Sequence, residues 1–130
     1  MFDFAFFLCY FYTMIKEINI KEDYPIVDVA IARIQEEIDL HKKYGEQVIK
    51  IIHGYGSHGV GGKIKQQLDL LLPSWKKKKY IFDYIKGESF TFSTIQNKNF
   101  DSDLKDLLLE DCYFSSLNKG VTILILRKEK

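Results

Sequence analysis

Cysteine is scarce in this chain. Cys9 and Cys112 stand alone, without CxxC spacing, so they read as small hydrophobes of a reduced compartment rather than ligands or bridges. A membrane-length apolar run is also missing. Phe4 to Tyr12 is almost wholly apolar and aromatic, but a span needs roughly 20 residues. A secretory leader would begin with positive charge and end in small residues, whereas Asp3 opens this one and no A-x-A pattern follows. No internal repeat or low-complexity tract occurs. These absences predict a cytoplasmic protein without a membrane partner. The 130 residues, 46% hydrophobic and 28% charged, fit one globular domain. Met14 opens a stretch that reads as a domain by itself. The expected organisation is therefore an apolar extension over 1–13, from an over-long start assignment, and a single domain over 14–130.

Net charge is low as well, at +1, yet it is unevenly spread. Residues 1–40 carry 3 basic and 8 acidic side chains, residues 41–80 carry 9 lysines against Glu46 and Asp69, and residues 81–130 carry 7 basic and 8 acidic. A local positive field of that size favours an anionic partner, with a merely solvated lysine face as the alternative.

Apolar periodicity sets the expected elements. Ile15 to Ile20 reads as a strand. Asp23, Tyr24 and Pro25 give helix-start signals, and Val27, Ile31, Ile34 and Ile38 recur at helical spacing to Lys42 and Lys43, with Gly45 as left-handed cap. Val48 to Ile52 is a β-branched run interrupted only by Lys50. After a glycine turn over His53–Gly62, the residues Ile64, Leu68, Leu71 and Leu72 predict a second helix stopped by Pro73. Tyr80 to Ile85 and Val121 to Leu126 read as strands. Between 86 and 119 the pattern weakens: Phe90 and Phe92 fit a short strand or a pinned loop, and Asp101 or Ser102 can cap a short helix with Leu104, Leu107 and Leu108. The order predicts an α/β two-layer sandwich with a mostly parallel sheet and two main helices.

Gly54-Tyr55-Gly56-Ser57-His58-Gly59 spells GxGxxG between a strand and a helix. A dinucleotide site would need an acid about 20 positions on, at a strand end. Asp69 falls on the second helix instead, and Asp83 in mid-strand. A P-loop fails because Ser57 replaces its first glycine and Ile64 its Ser/Thr. What remains is a turn whose glycines admit an anion close to the backbone at a helix start, with Lys63 and Lys65 adding charge. A glycine turn that simply reverses the chain is the plainer alternative.

The string VIKIIHGYGSHGVGGKIKQQL, Val48 to Leu68, resembles the central motif of Smr (small MutS-related) domains, a strand followed by HGxG and a glycine turn into a helix. Asn118-Lys119-Gly120-Val121-Thr122-Ile123 resembles that family's closing motif. The resemblance runs over roughly residues 15–126, loosely over 86–117. It implies a fold similar to the C-terminal domain of bacterial translation initiation factor three, and binding of DNA or RNA, with cleavage in several members. Some members act on ribosomes, so ribosome association is a further implication. By position, His53, Gly54 and Gly56 would shape a nucleic-acid-facing loop beside Gly120 and Thr122. Tyr55, Ser57, His58, Lys63 and Lys65 complete the expected binding set. The family's Asp-Leu-His motif at the end of its first strand is replaced here by Asn19-Ile20-Lys21. Asparagine is no carboxylate base, and lysine is no neutral-pH proton shuttle unless strongly perturbed. Asp39-Leu40-His41 spells the motif inside the first helix, where it reads as chance.

Three functions thus stand: a nucleic-acid-binding domain without cofactor, a weak endonuclease using His53 or His58 with an unidentified acid, and a protein-interaction module whose aromatic extension docks on a partner. A metal shared by His53 and His58 would lack an acidic third ligand. Trp75 with Lys76–Lys79 is the candidate for a second phosphate-contacting patch.

Overall fold

The computed structural model describes residues 15–20, 26–55 and 60–129. The extension 1–13, the helix-start residues Asp23 to Pro25, and Gly56, Ser57 and His58 of the expected site lie outside the described residues. The elements are β1 (Lys16–Asn19), α1 (Val27–Lys43), β2 (Val48–Ile52), α2 (Val60–Lys77), β3 (Asp83–Lys86), a 3-10 turn at Gly87–Ser89, α3 (Phe92–Gln96), α4 (Ser102–Leu109) and β4 (Val121–Ile125).

The sheet order is β1-β2-β4-β3. The expectation of a mostly parallel sheet is wrong: β1 and β2 pair in parallel, but β4 is antiparallel to both β2 and β3. The crossover helices do carry β1, β2 and β3 in one direction. The closing strand then inserts between β2 and β3 and separates them, so the connection that implied a parallel pair produces none there.

Alternation along the strands separates two apolar sets. Ile18, Ile49, Ile51 and Leu124 pack under Ile34 and Ile38 of α1 and Leu68, Leu72 and Trp75 of α2. Ile15, Val48, Ile85, Ile123 and Ile125 face the other way, onto Phe90, Ile95, Phe100, Leu104 and Leu108. The two-helix layer is thus present, and the weakly patterned 86–117 segment covers the second face. Lys50, on that second face, is buried against Asp111, Nζ to Oδ2 2.7 Å, with Glu17 at 3.7 Å. Burial lowers its pKa, but the hydrogen bond and charge of Asp111 outweigh it and leave the ammonium above its usual value.

Both long helices end in the same way. At α1, Gly45 (φ 79°) takes the left-handed position, with Gly45 N–H bonded to the Lys42 carbonyl and Glu46 N–H to that of His41. At α2, Lys79 (φ 63°) does so, with Lys79 N–H on Lys76 and Tyr80 N–H on Trp75. Pro73 lies inside α2 and does not stop it. A proline removes its own N–H bond and crowds the carbonyl four residues earlier, and the buried Leu72 and Trp75 hold the helix on the sheet across that defect. Because the α2 end consumes Tyr80, the third strand begins at Asp83 rather than Tyr80. Asp101 caps α4 as expected, its Oδ1 accepting from Leu104 N–H at 2.8 Å. No helix among the described residues is long and apolar enough to cross a membrane.

Candidate functional site

β2 ends at Ile52, and the next residue returns to the helix-covered face. His53 is fully buried there, as is Thr122 of β4. Its Nδ1 lies 2.6 Å from the Gly54 carbonyl and its Nε2 2.9 Å from Thr122 Oγ1. A carbonyl only accepts, so Nδ1 carries the proton and Nε2 accepts from the threonine hydroxyl. Burial pushes the imidazole below its ordinary value, against the Gly54 carbonyl, and the nearby Lys65 charge acts in the same direction as burial. His53 is therefore neutral, with both ring nitrogens engaged inside the protein. That leaves it neither a solvent-facing base nor a ligand contact. It locks the turn to β4.

The backbone completes the lock. The Gly120 carbonyl accepts from both His53 N–H (2.9 Å) and Gly54 N–H (3.0 Å), and the Asn118 side chain accepts from Gly120 N–H at 2.8 Å. Gly54 has φ 68°, and a Cβ on Gly120 would stand 3.1 Å from both Gly54 Cα and Asn118 Oδ1. These contacts give physical content to the two motifs: the HGxG turn and the Asn-Lys-Gly-Val-Thr segment are two halves of one joint. Gly87 is a third member that sequence reading missed. Any Cβ there would drive into the Asn118 carbonyl and approach Val121 O to 2.7 Å. Nothing local in Lys86-Gly87-Glu88 announces a contact 31 residues away.

Tyr55 stands outward from this joint, 59% exposed. Its carbonyl faces the first turn of α2, where a Cβ on Gly62 would come to 3.0 Å. Lys63 is exposed beside it. Lys65 is different: its ammonium meets Glu88 at 3.0 Å and Asp69 at 3.4 Å, and Lys86 reaches Asp69 at 3.8 Å. The charge expected to serve a phosphate is largely matched by carboxylates within the protein.

The structure does not bring the second basic run to the turn. Lys76–Lys79 lie at the far end of α2, an 18-residue helix and so about 27 Å long. Trp75 is buried and packs edge-on against Tyr80, centroids 5.5 Å apart, so it is core and presents no stacking face. Lys76 pairs with the buried Asp83 at 3.1 Å. Lys77, Lys78 and Lys79 remain exposed there. Lys42 donates to the Tyr80 carbonyl at 2.8 Å. On the second face a cleft is lined by Asp101, Asp103, Asp106, Glu110 and Glu129, the wrong sign for phosphate.

Asn19 pairs in register with Ile52, so its side chain takes the sheet face opposite His53; Ile20 is core. Lys21 is outside the described residues. In α1 the Asp39-Leu40-His41 string points three ways: Asp39 accepts from Tyr80 OH at 2.8 Å, Leu40 is exposed, and His41 is buried with Nε2 3.2 Å from Glu37. Among the described residues no group of three or more His, Cys, Asp or Glu is placed to hold a metal ion.

No family model matches the chain, and no curated protein matches it in sequence. Its fold, however, is similar to a solved structure, the Smr domain of Thermus thermophilus MutS2, with a TM-score of 0.51 and 14% identity over 87% of this chain and 99% of that one. In fold, the chain is an Smr-like domain.

Proposed function

We propose that this domain binds RNA or DNA, presenting the Gly54–Tyr55 turn and Lys63 to the phosphate backbone. The observation that carries this reading is the joint itself: an exposed aromatic and an exposed lysine stand on a turn that His53, Thr122 and Gly120 hold rigid at a helix start. An exposed ring and an exposed ammonium beside an anchored turn suit a strand whose bases stack and whose phosphates approach a helix start. The resemblance of the two motifs to Smr domains supports nucleic acid over other anions, and the Smr-like fold agrees with it. His53 and Thr122 serve as positioning residues, and Lys65 is a minor contributor because Glu88 and Asp69 already surround it.

An electrophoretic shift panel over single- and double-stranded RNA and DNA, repeated across salt, tests this. Affinity should fall steeply between about 50 and 200 mM salt, as counterion release requires. Binding indifferent to salt, or absent from every nucleic acid, would contradict the reading.

A further inference from the structure

Helix α1 buries Ala30, Ile31, Ile34, Ile38 and His41. Four of its larger apolar side chains stay outside that core. Ile26, Val29, Leu40 and Tyr44, which are 70%, 46%, 41% and 71% exposed, share one flank at about 100° per residue, as one pair near each end of the helix with the half-buried Arg33 and Glu37 between them. The other flank is identified by Tyr80, whose hydroxyl reaches the Gln35 carbonyl and Asp39 from the end of α2. The apolar stripe therefore faces away from α2, on the side of β1. That strand is at the sheet edge and, among the described residues, pairs with β2 alone.

The chain itself supplies an occupant. Residues 1–13 contain the apolar, aromatic stretch Phe4–Tyr12 and lead into β1 at this same edge. Lys16 is in register with Ile49, which places the entry to β1 beside the start of β2, only a few residues beyond Tyr44. Thirteen residues reach about 43 Å when extended, and the 17 residues of α1 span about 26 Å. The segment starts at one end of the stripe and is long enough to cover all of it.

We propose that residues 1–13 dock in cis on the outer flank of α1, over Ile26, Val29, Leu40 and Tyr44 and beside the outer edge of β1. The apolar surface of the segment and that of the helix then shield each other, and the β1 edge is screened from pairing with another chain.

Cys9 lies within the segment and provides the probe. In the full chain carrying Cys112→Ser, one cysteine is introduced at a time by Val29→Cys, Leu40→Cys or Tyr44→Cys, and the protein is treated with a short bis-maleimide. Leu70→Cys, on the outer face of α2, and Phe92→Cys, on the other side of the sheet, serve as controls; both positions are exposed. All five changes replace surface side chains, and circular dichroism identifies any variant that departs from the parent fold; a stripe variant that does so is replaced by Ile26→Cys. The expected result is a monomeric, internally cross-linked product at the stripe positions and little at the controls, independent of protein concentration. Equal linking at stripe and control positions would overturn the proposal, as would no linking at the stripe. A cross-linked dimer that grows with concentration would also overturn it, assigning the flank to a second copy or the segment to another partner.

Discussion

The two ends of α2 differ in what the backbone tolerates. At its start, Gly54, Gly62, Gly87 and Gly120 stand where a side chain would meet neighbouring backbone or require an unfavourable φ. Around them the polar groups are matched: His53 with Thr122, Lys65 with Glu88 and Asp69. At its finish, Lys79 occupies a left-handed position where glycine would be less strained, and the exposed lysines follow one another. Charge alone would choose the far end as the anion site. Shape chooses the near end, because the exposed Tyr55 and Lys63 beside an anchored turn can hold a phosphate in one place whereas a lysine run only attracts it.

That contrast can be broken in graded steps. Gly87→Ala should have the largest effect, costing about 3–4 kcal/mol in a denaturant melt because the Asn118 backbone must move. His53→Ala should cost about 2–3 kcal/mol, since the Thr122 hydroxyl and the Gly54 carbonyl both lose a buried partner. The same histidine gives a pH test. Its folded pKa lies below the unfolded value of about 6.5, so its contribution is complete above that pH and falls as acid protonates the unfolded chain. The stability advantage of the parent over His53→Gln should therefore shrink as pH is lowered below about 6.5. Next in size, Tyr55→Ala should weaken single-strand binding by about 1–2 kcal/mol in a fluorescence titration, with melting unchanged. Glu88→Gln should tighten binding slightly, by about 0.5 kcal/mol or less, as Lys65 is released from an ion pair. At the far end, Lys79→Gly should raise stability by about 0.5–1 kcal/mol despite removing a charge.

These differences also explain what could be read in advance. α1, β2 and β4 were legible because their patterns are local: Val27, Ile31, Ile34 and Ile38 repeat at the helical period, and Val121–Leu126 is nearly continuous. The position of β4 between β2 and β3 was not legible, since strand order is decided by pairing across long separations. Phe90 shows the limit for the second layer. It is a fully buried core residue, but its neighbours Ser89 and Thr91 carry no period to reveal it. At the site, the HGxG and Gly120–Thr122 motifs are segments that the structure brings together, while the role of His53 depended on its bond to Thr122, 69 residues later. The ion pair of Lys65 with Glu88 was not legible because Glu88 is distant in sequence. Trp75 was misjudged because a lysine run beside a tryptophan says nothing about which way the ring turns.

The most direct measurement compares two variants on one single-stranded oligonucleotide titration. Tyr55→Ala combined with Lys63→Gln removes the exposed groups of the glycine turn, and Lys77, Lys78 and Lys79 changed together to Gln removes the far run. Even at the 3.4 Å per step of a fully stacked strand, about eight steps would reach both ends, and an unstacked single strand extends further per nucleotide, so the oligonucleotide should be well under that length. The turn variant should lose most of the affinity, and the lysine variant should keep most of it with a lower salt slope. Retained affinity in the turn variant and lost affinity in the lysine variant would place the site at the wrong end of the helix and contradict the account.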